Sequence, residues 1–164
     1  LFQAMPKLDK LEHIIQKSTE LGVSRVVPVL TRRCISRPTE KDFAKKLPRL
    51  AKIAEEAAKQ SGRGIIPEIS PMVSYKQCLE MMKSLDKTIM LYEGEGGKPF
   101  EDVAVEGIKT AGLLIGSEGG FDVSEVEDAV SAGAERVWLG KRILRCETAP
   151  ISALTILMFL TKNM

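Results

Sequence analysis

Ala111-Gly112-Leu113-Leu114-Ile115-Gly116-Ser117-Glu118-Gly119-Gly120-Phe121-Asp122-Val123-Ser124-Glu125 is the stretch that decides the fold. It opens as an apolar strand over residues 111–115 and turns through glycines. It closes with Asp122 three residues ahead of Glu125, the spacing that caps a helix start. Val123, Val126 and Val130 are the expected inner face of that helix. The same order recurs outward. Toward the C-terminus, a strand over residues 136–139 leads through a long loop into an apolar helix over residues 149–160. Toward the N-terminus, residues 88–92 read as a strand. Ser74 and Gln77 cap a helix that runs to about Lys83, and residues 67–69 form a short strand. Phe43, Leu47, Leu50, Ala54, Ala57 and Ala58 mark an amphipathic helix ending at Gly62, with Pro48 either at its first turn or at a kink. Residues 23–30 read as a buried strand, preceded by a helix with Leu8, Leu11, Ile14, Ile15 and Ser18 on one face and Gly22 at its end.

Strands alternating with helices predict an α/β domain, a mostly parallel sheet flanked by helices. No repeat, low-complexity segment or linker divides the chain, so residues 1–164 are expected to form one domain. At 44% apolar and 28% charged residues, the composition excludes disorder and collagen-like repeats. Cys34, Cys78 and Cys146 lie far apart and His13 is the single histidine, so neither a zinc site nor a disulfide scaffold is expected. The longest apolar run, residues 151–160, is too short to span a bilayer, and no basic segment precedes an apolar stretch at the N-terminus. A cytoplasmic protein with reduced thiols is the expectation. The chain begins with Leu1, so a longer parent protein is expected as well.

Net charge is only +2, but its distribution is uneven. Residues 31–63 carry +6, with Arg32, Arg33, Lys45, Lys46, Arg49, Lys52 and Arg63 among the basic members. A basic block on a slightly acidic body points to an anionic polymer such as RNA. Its ordinary reading is a solvated helix face.

In open α/β sheets ligands sit beyond the carboxyl ends of the strands. Three such ends carry unusual loops: Tyr92-Glu93-Gly94-Glu95-Gly96-Gly97, Ile115-Gly116-Ser117-Glu118-Gly119-Gly120-Phe121, and Leu139-Gly140-Lys141-Arg142-Ile143-Leu144-Arg145-Cys146-Glu147-Thr148-Ala149. None has the Gly-Lys-Ser/Thr step of a Walker loop or the spacing of a dinucleotide fingerprint. Glu95 and Glu118 stand where a pyrophosphate would sit, which costs rather than helps. Bare glycine backbone beside a carboxylate suits a neutral or cationic ligand instead. In the third loop, Arg142 and Arg145 with Glu147 could orient a phosphate or hold negative charge forming on a base. A surface Arg–Glu pair worth under ~1 kcal/mol is the plainer reading.

Taken together, Lys17-Ser18-Thr19-Glu20-Leu21-Gly22-Val23, Gln60-Ser61-Gly62-Arg63 and the second and third loops resemble the RsmE family. These are SPOUT-class methyltransferases that methylate uridine N3 of 16S ribosomal RNA. The resemblance runs in motif order from about Met5 to the C-terminus. It implies a SPOUT fold with a C-terminal trefoil knot, a homodimer, and S-adenosylmethionine as cofactor. It implies 16S ribosomal RNA, or the small ribosomal subunit, as partner. Members usually carry proline where this chain has Ser117, and an N-terminal PUA-like RNA-binding barrel that is not expected within residues 1–164. With the three converging strand ends, it places the cofactor on Leu91, Tyr92, Glu93, Ile115, Gly116, Glu118, Gly119, Gly120, Leu139, Gly140, Ile143, Leu144 and Ala149. Arg145, Glu147 and Arg142 become the catalytic candidates, with Glu147 orienting Arg145. Arg63 becomes the member of the basic block expected to reach the active site. Two other functions compete: a non-catalytic RNA-binding module that keeps the fold, and a nucleotide-dependent oxidoreductase. Arg145 and Glu147 beside the glycine loop favour an enzyme, and the missing fingerprint disfavours the oxidoreductase.

Overall fold

Valine- and leucine-rich runs too short for helices make the strands, and amphipathic segments between them make the helices. The computed structural model describes residues 1–7 and 9–163. Leu8, counted in the helical spacing of the first helix, and Met164 lie outside the described residues.

In chain order the elements are β1 (Phe2–Ala4), α1 (Lys10–Glu20), β2 (Arg25–Leu30), α2 (Glu40–Ala44), α3 (Leu47–Gln60), β3 (Glu68–Ile69), β4 (Val73–Ser74) and α4 (Tyr75–Met82). There follow β5 (Lys87–Leu91), β6 (Lys98–Pro99), β7 (Ala111–Ile115), α5 (Val123–Ser131), β8 (Glu135–Trp138) and α6 (Thr148–Leu160). The sheet order is β3-β2-β1-β7-β5-β8-β6, with β4 also on β2. Every strand pair is parallel. All strands therefore present their carboxyl ends along one edge, which is where the three glycine-bearing loops emerge.

Alternate residues of β5 and β7 feed two cores. Ile89, Leu113 and Ile115 face a layer that includes Leu11 and Ile14 of α1, Leu50 and Ala54 of α3, and Leu154 and Leu157 of α6. Met90 and Leu114 face Cys78 and Met82 of α4 and Val126 and Ala129 of α5. Burial on both faces explains why these strands read as continuous apolar runs rather than alternating ones.

The Ser74–Gln77 and Asp122–Glu125 capping boxes both form. Pro48 starts a helix rather than kinking one. The chain breaks after Ala44, and Pro48 takes the first turn of α3, where its missing N–H removes no helical bond. The inner face of α5 differs from expectation. Val123 and Val130 are exposed, while Glu125, Val126 and Ala129 are buried. Glu125 turns inward because it accepts two amides, from Asp122 at 3.0 Å and from Arg32 at 2.8 Å. A buried carboxylate held this way loses little on leaving water.

Candidate functional site

A cleft of about 340 Å³ opens at the carboxyl edge between the ends of β5, β7 and β8. Its floor is apolar: Leu91, Ile115, Val137, Leu139, Leu144 and Ala149. Its rim carries Tyr92, Glu93, Glu118, Arg142 and Arg145. The glycine turn after β7 is closed by the Gly120 amide donating to the Ser117 carbonyl at 2.9 Å. Gly120 has φ of +65°, in the left-handed region that favours glycine. A Cβ on Gly116 would stand 3.2 Å from both the Gly120 Cα and the Phe121 ring. Bare backbone is thus required to keep this wall of the cleft thin.

The structure brings the expected cofactor residues to this cleft with one exception. Leu91, Tyr92, Glu93, Ile115, Gly116, Glu118, Gly120, Leu139, Gly140, Ile143, Leu144 and Ala149 line it. Gly119 lies on the outer side of the turn against Arg33, whose guanidinium donates to the Gly119 carbonyl at 3.4 Å.

Arg142 and Arg145 line the cleft and are exposed, and neither makes an ion pair among the described residues. Glu147 does not orient Arg145. Its Oε2 sits 3.0 Å from Lys10 Nζ and accepts from the Cys146 thiol at 3.2 Å. Lys10 also stands 3.1 Å from Glu118 Oε1, which accepts the Lys7 amide at 3.0 Å. Burial pushes both carboxyls up, but these bonds more than offset it and leave Glu118 and Glu147 below the ordinary carboxylate range. The Glu147 and Glu118 carboxylates raise the Lys10 ammonium, so it stays charged. Burial, then the bond to Glu147, pushes the Cys146 thiol up to about 12. A thiol so protonated is no nucleophile near neutral pH.

The basic block divides. Arg32 and Arg33 stand over the glycine turn, 3.5 and 3.6 Å from Asp122. Lys45, Arg49 and Lys52 pair with Asp42, Glu12 and Glu56 on the helix surfaces. Lys46 is exposed and has no acidic partner among the described residues. Arg63 departs from expectation. Its guanidinium donates to the Thr19 and Val23 carbonyls, each at 2.8 Å, closing the C-terminal end of α1. That places it at the amino edge of the sheet, away from the cleft.

Lys10, Phe121 and Trp138 line the cleft without having been singled out. Trp138, the chain's only tryptophan, ends β8 at the edge where ligands bind, and that position was a readable signal. Lys10 gave none, since its partners lie in distant loops. A second hollow, about 490 Å³, lies at the amino edge between residues 105–111 and the end of α6. It is the larger one, but the glycine turns and the unpaired arginines belong to the first. No group of three potential metal ligands occurs among the described residues. No helix among them is long and apolar enough to cross a membrane.

A parallel α/β domain with a glycine-walled cleft at its carboxyl edge defines the class, and comparison with known proteins makes it specific. The chain belongs to the RNA methyltransferase domain family, whose model matches residues 1–158. The resemblance read from the four motifs extends over nearly all of this chain. The chain is 41% identical to the ribosomal RNA small subunit methyltransferase E of Bacillus subtilis over 96% of its own length and 64% of that protein's. It is 35% identical to the protein of the same name from Mesomycoplasma hyopneumoniae, covering 93% of this chain and 65% of that one. Among solved structures, the enzyme of that name from Neisseria gonorrhoeae, bound to S-adenosylmethionine, superposes with a TM-score of 0.88 at 34% identity, covering 97% of this chain and 64% of that one. A protein from Legionella pneumophila, solved with the same cofactor bound, gives a TM-score of 0.90 at 34% identity, covering 96% of this chain and 64% of that one. The chain thus spans less than two thirds of each of these relatives.

Proposed function

We propose that this chain is the catalytic domain of an S-adenosylmethionine-dependent methyltransferase acting on N3 of a uridine in 16S ribosomal RNA. One observation carries the reading: three strand ends converge on a cleft with a bare glycine wall, an apolar floor and, at its mouth, two arginines with no ion pair among the described residues. The cofactor fits what is there. The apolar floor suits an adenine, bare backbone suits close approach, and Glu93 and Glu118 suit a cationic end. Leu91, Gly116, Glu118, Gly120, Leu139, Ile143 and Leu144 would hold it, and Gly119 would support the turn from outside. When bound, the cofactor supplies an activated methyl electrophile.

The remaining difficulty belongs to the nucleophile. Uridine N3 bears a proton, and its loss to solvent water spreads negative charge onto the neighbouring carbonyl oxygens. Arg145, exposed at the rim and without an acidic partner among the described residues, would donate to those oxygens. Arg142 would hold the adjacent phosphate or base. Glu147 is a poor base, since its carboxyl is held below its ordinary value and its Oε2 already meets the Lys10 ammonium and the Cys146 thiol. Its role is to position the loop. Phosphate contacts would come from Arg32 and Arg33 beside the turn and from Lys45, Lys46, Arg49 and Lys52. Arg63, committed to backbone carbonyls, would add structure more than affinity.

The reading also includes the trefoil knot, a cytoplasmic location and a homodimer. The outer face of α6 supports the last, with Phe159 exposed and Ile151 and Ile156 only half-buried. Transfer of labelled methyl from S-adenosylmethionine to small ribosomal subunits by the full-length protein tests the function. Label at uridine N3 of 16S RNA is the expected result. RNA binding without transfer would favour the non-catalytic module instead.

A further inference from the structure

Lys10 opens α1, a helix that packs against both α3 and α6, yet its ammonium reaches the cleft and bonds to two different loops. Glu118 belongs to the glycine turn after β7, and Glu147 ends the long loop before α6. Glu147 stands at the N-cap position of α6 but makes no capping bond with its side chain. It faces Lys10 instead, with the Cys146 thiol donating to it and the Lys10 ammonium 3.8 Å from that sulfur. The three charged side chains are 28%, 22% and 21% exposed, against 74% for the most open lysine paired on α3. Salt and water therefore screen this cluster far less than the pairs on the helix surface.

We propose that Lys10 is a positioning residue whose ammonium latches the loop before α6 onto the glycine turn, and so sets the width of the cleft. The proposal rests on the cofactor reading of that cleft. One ammonium between two carboxylates is the whole of the bridge. The Lys7 amide supports Glu118, and the Cys146 thiol supports Glu147. The other ionisable groups around the cleft are Tyr92, Glu93, Arg142 and Arg145, none of which pairs with either carboxylate among the described residues. Without Lys10, two like charges would face each other in a half-enclosed space. They separate, moving the 140–145 loop away from the 116–120 turn, or one of them takes up a proton. Lys10 itself moves no proton in catalysis, because its two carboxylate partners hold it charged.

Four full-length proteins test this: wild type, Lys10→Arg, Lys10→Met and Lys10→Met with Glu147→Gln. Two measurements are made on each. The first is hydrogen exchange of residues 116–120 and 142–149 without cofactor. The second is calorimetric titration with S-adenosylhomocysteine at about pH 5.5 and about pH 7.5, which bracket protonation of a carboxyl raised by a like charge. Lys10→Met should speed exchange in both segments and weaken product binding about tenfold at the higher pH, the scale of a typical coupling between sites. Part of the loss should return at the lower pH, while wild type binds alike at both. Lys10→Arg and the double variant should recover most of the affinity. If Lys10→Met exchanges and binds like wild type, the latch is refuted. It is equally refuted if the loss is the same at both pH values and the double variant does not relieve it. Faster exchange in Lys10→Met together with a wild type that binds no cofactor would uphold the latch and overturn the cofactor reading.

Discussion

The cleft and the surface of α2 and α3 hold charges of the same kinds but organise them differently. On α2 and α3, Lys45, Lys52 and Lys59 pair with acids three or four residues away, on exposed side chains. Such fully exposed pairs contribute little and weaken in salt. At the cleft, Lys10, Glu118 and Glu147 come from three separate segments and are mostly shielded, while Arg142 and Arg145 make no ion pair among the described residues. Local pairing makes a solvated helix face. Long-range pairing that leaves two guanidinium groups free makes a site.

The sharpest way to break this comparison is at the free arginines. Arg145→Ala should cut turnover by ~10²-fold or more with cofactor affinity nearly unchanged, the range seen when one oxyanion donor is removed. Single-turnover methylation beside product titration checks it, and turnover that survives would move the role to Arg142. Next in size is the glycine wall. A Cβ at Gly116 must push against the Gly120 backbone and the Phe121 ring, 3.2 Å away. Gly116→Val should therefore weaken S-adenosylhomocysteine binding about tenfold or more and also lower the melting temperature, as overpacking costs typically ~1–3 kcal/mol. Calorimetry and a thermal scan read both.

The basic face should respond more weakly. Charge reversal at Lys46 should lower the salt slope of RNA binding by about one unit, whereas reversal at Lys52 also breaks its pair with Glu56. Filter binding across a salt series separates them, and an unchanged slope for both would make the whole block a solvated face. The smallest effect is expected outside the cleft lining. The Lys87 and Lys98 ammonium groups, each 2.8 Å from the Glu135 carboxylate, hold that carboxyl below its ordinary value. A carboxyl lowered in the fold adds stability above its unfolded value, and this is lost as pH falls through the folded value. Glu135→Gln should lower the melting temperature near neutral pH by a few degrees, about 1 kcal/mol at most after screening. The difference from wild type should close below about pH 4.

The sequence made the periodic and capped segments readable, because their signals are local. Asp122 with Glu125, Ser74 with Gln77, and the apolar runs of β2, β5 and β7 needed no distant partner. Strand β1 was missed although it lies between β2 and β7, because three residues at the start of the chain show no periodicity. The two-residue strands β4 and β6 are equally silent, and β6 ends in a proline. The inward turn of Glu125 and the capture of Glu147 by Lys10 depend on partners brought close only by the fold. Arg63 misled for the same reason. A basic residue after a helix looks free in sequence, and only the structure shows it bound to the carbonyls that end α1.

That the glycine-walled cleft is a cofactor site, rather than a set of tight turns, is tested most directly by calorimetric titration of the full-length protein with S-adenosylhomocysteine and, separately, with NAD. The expected result is saturable one-to-one binding of S-adenosylhomocysteine, lost in Gly116→Val, with no heat from NAD. Binding of NAD in place of S-adenosylhomocysteine, or homocysteine-product affinity that Gly116→Val leaves intact, would contradict the account.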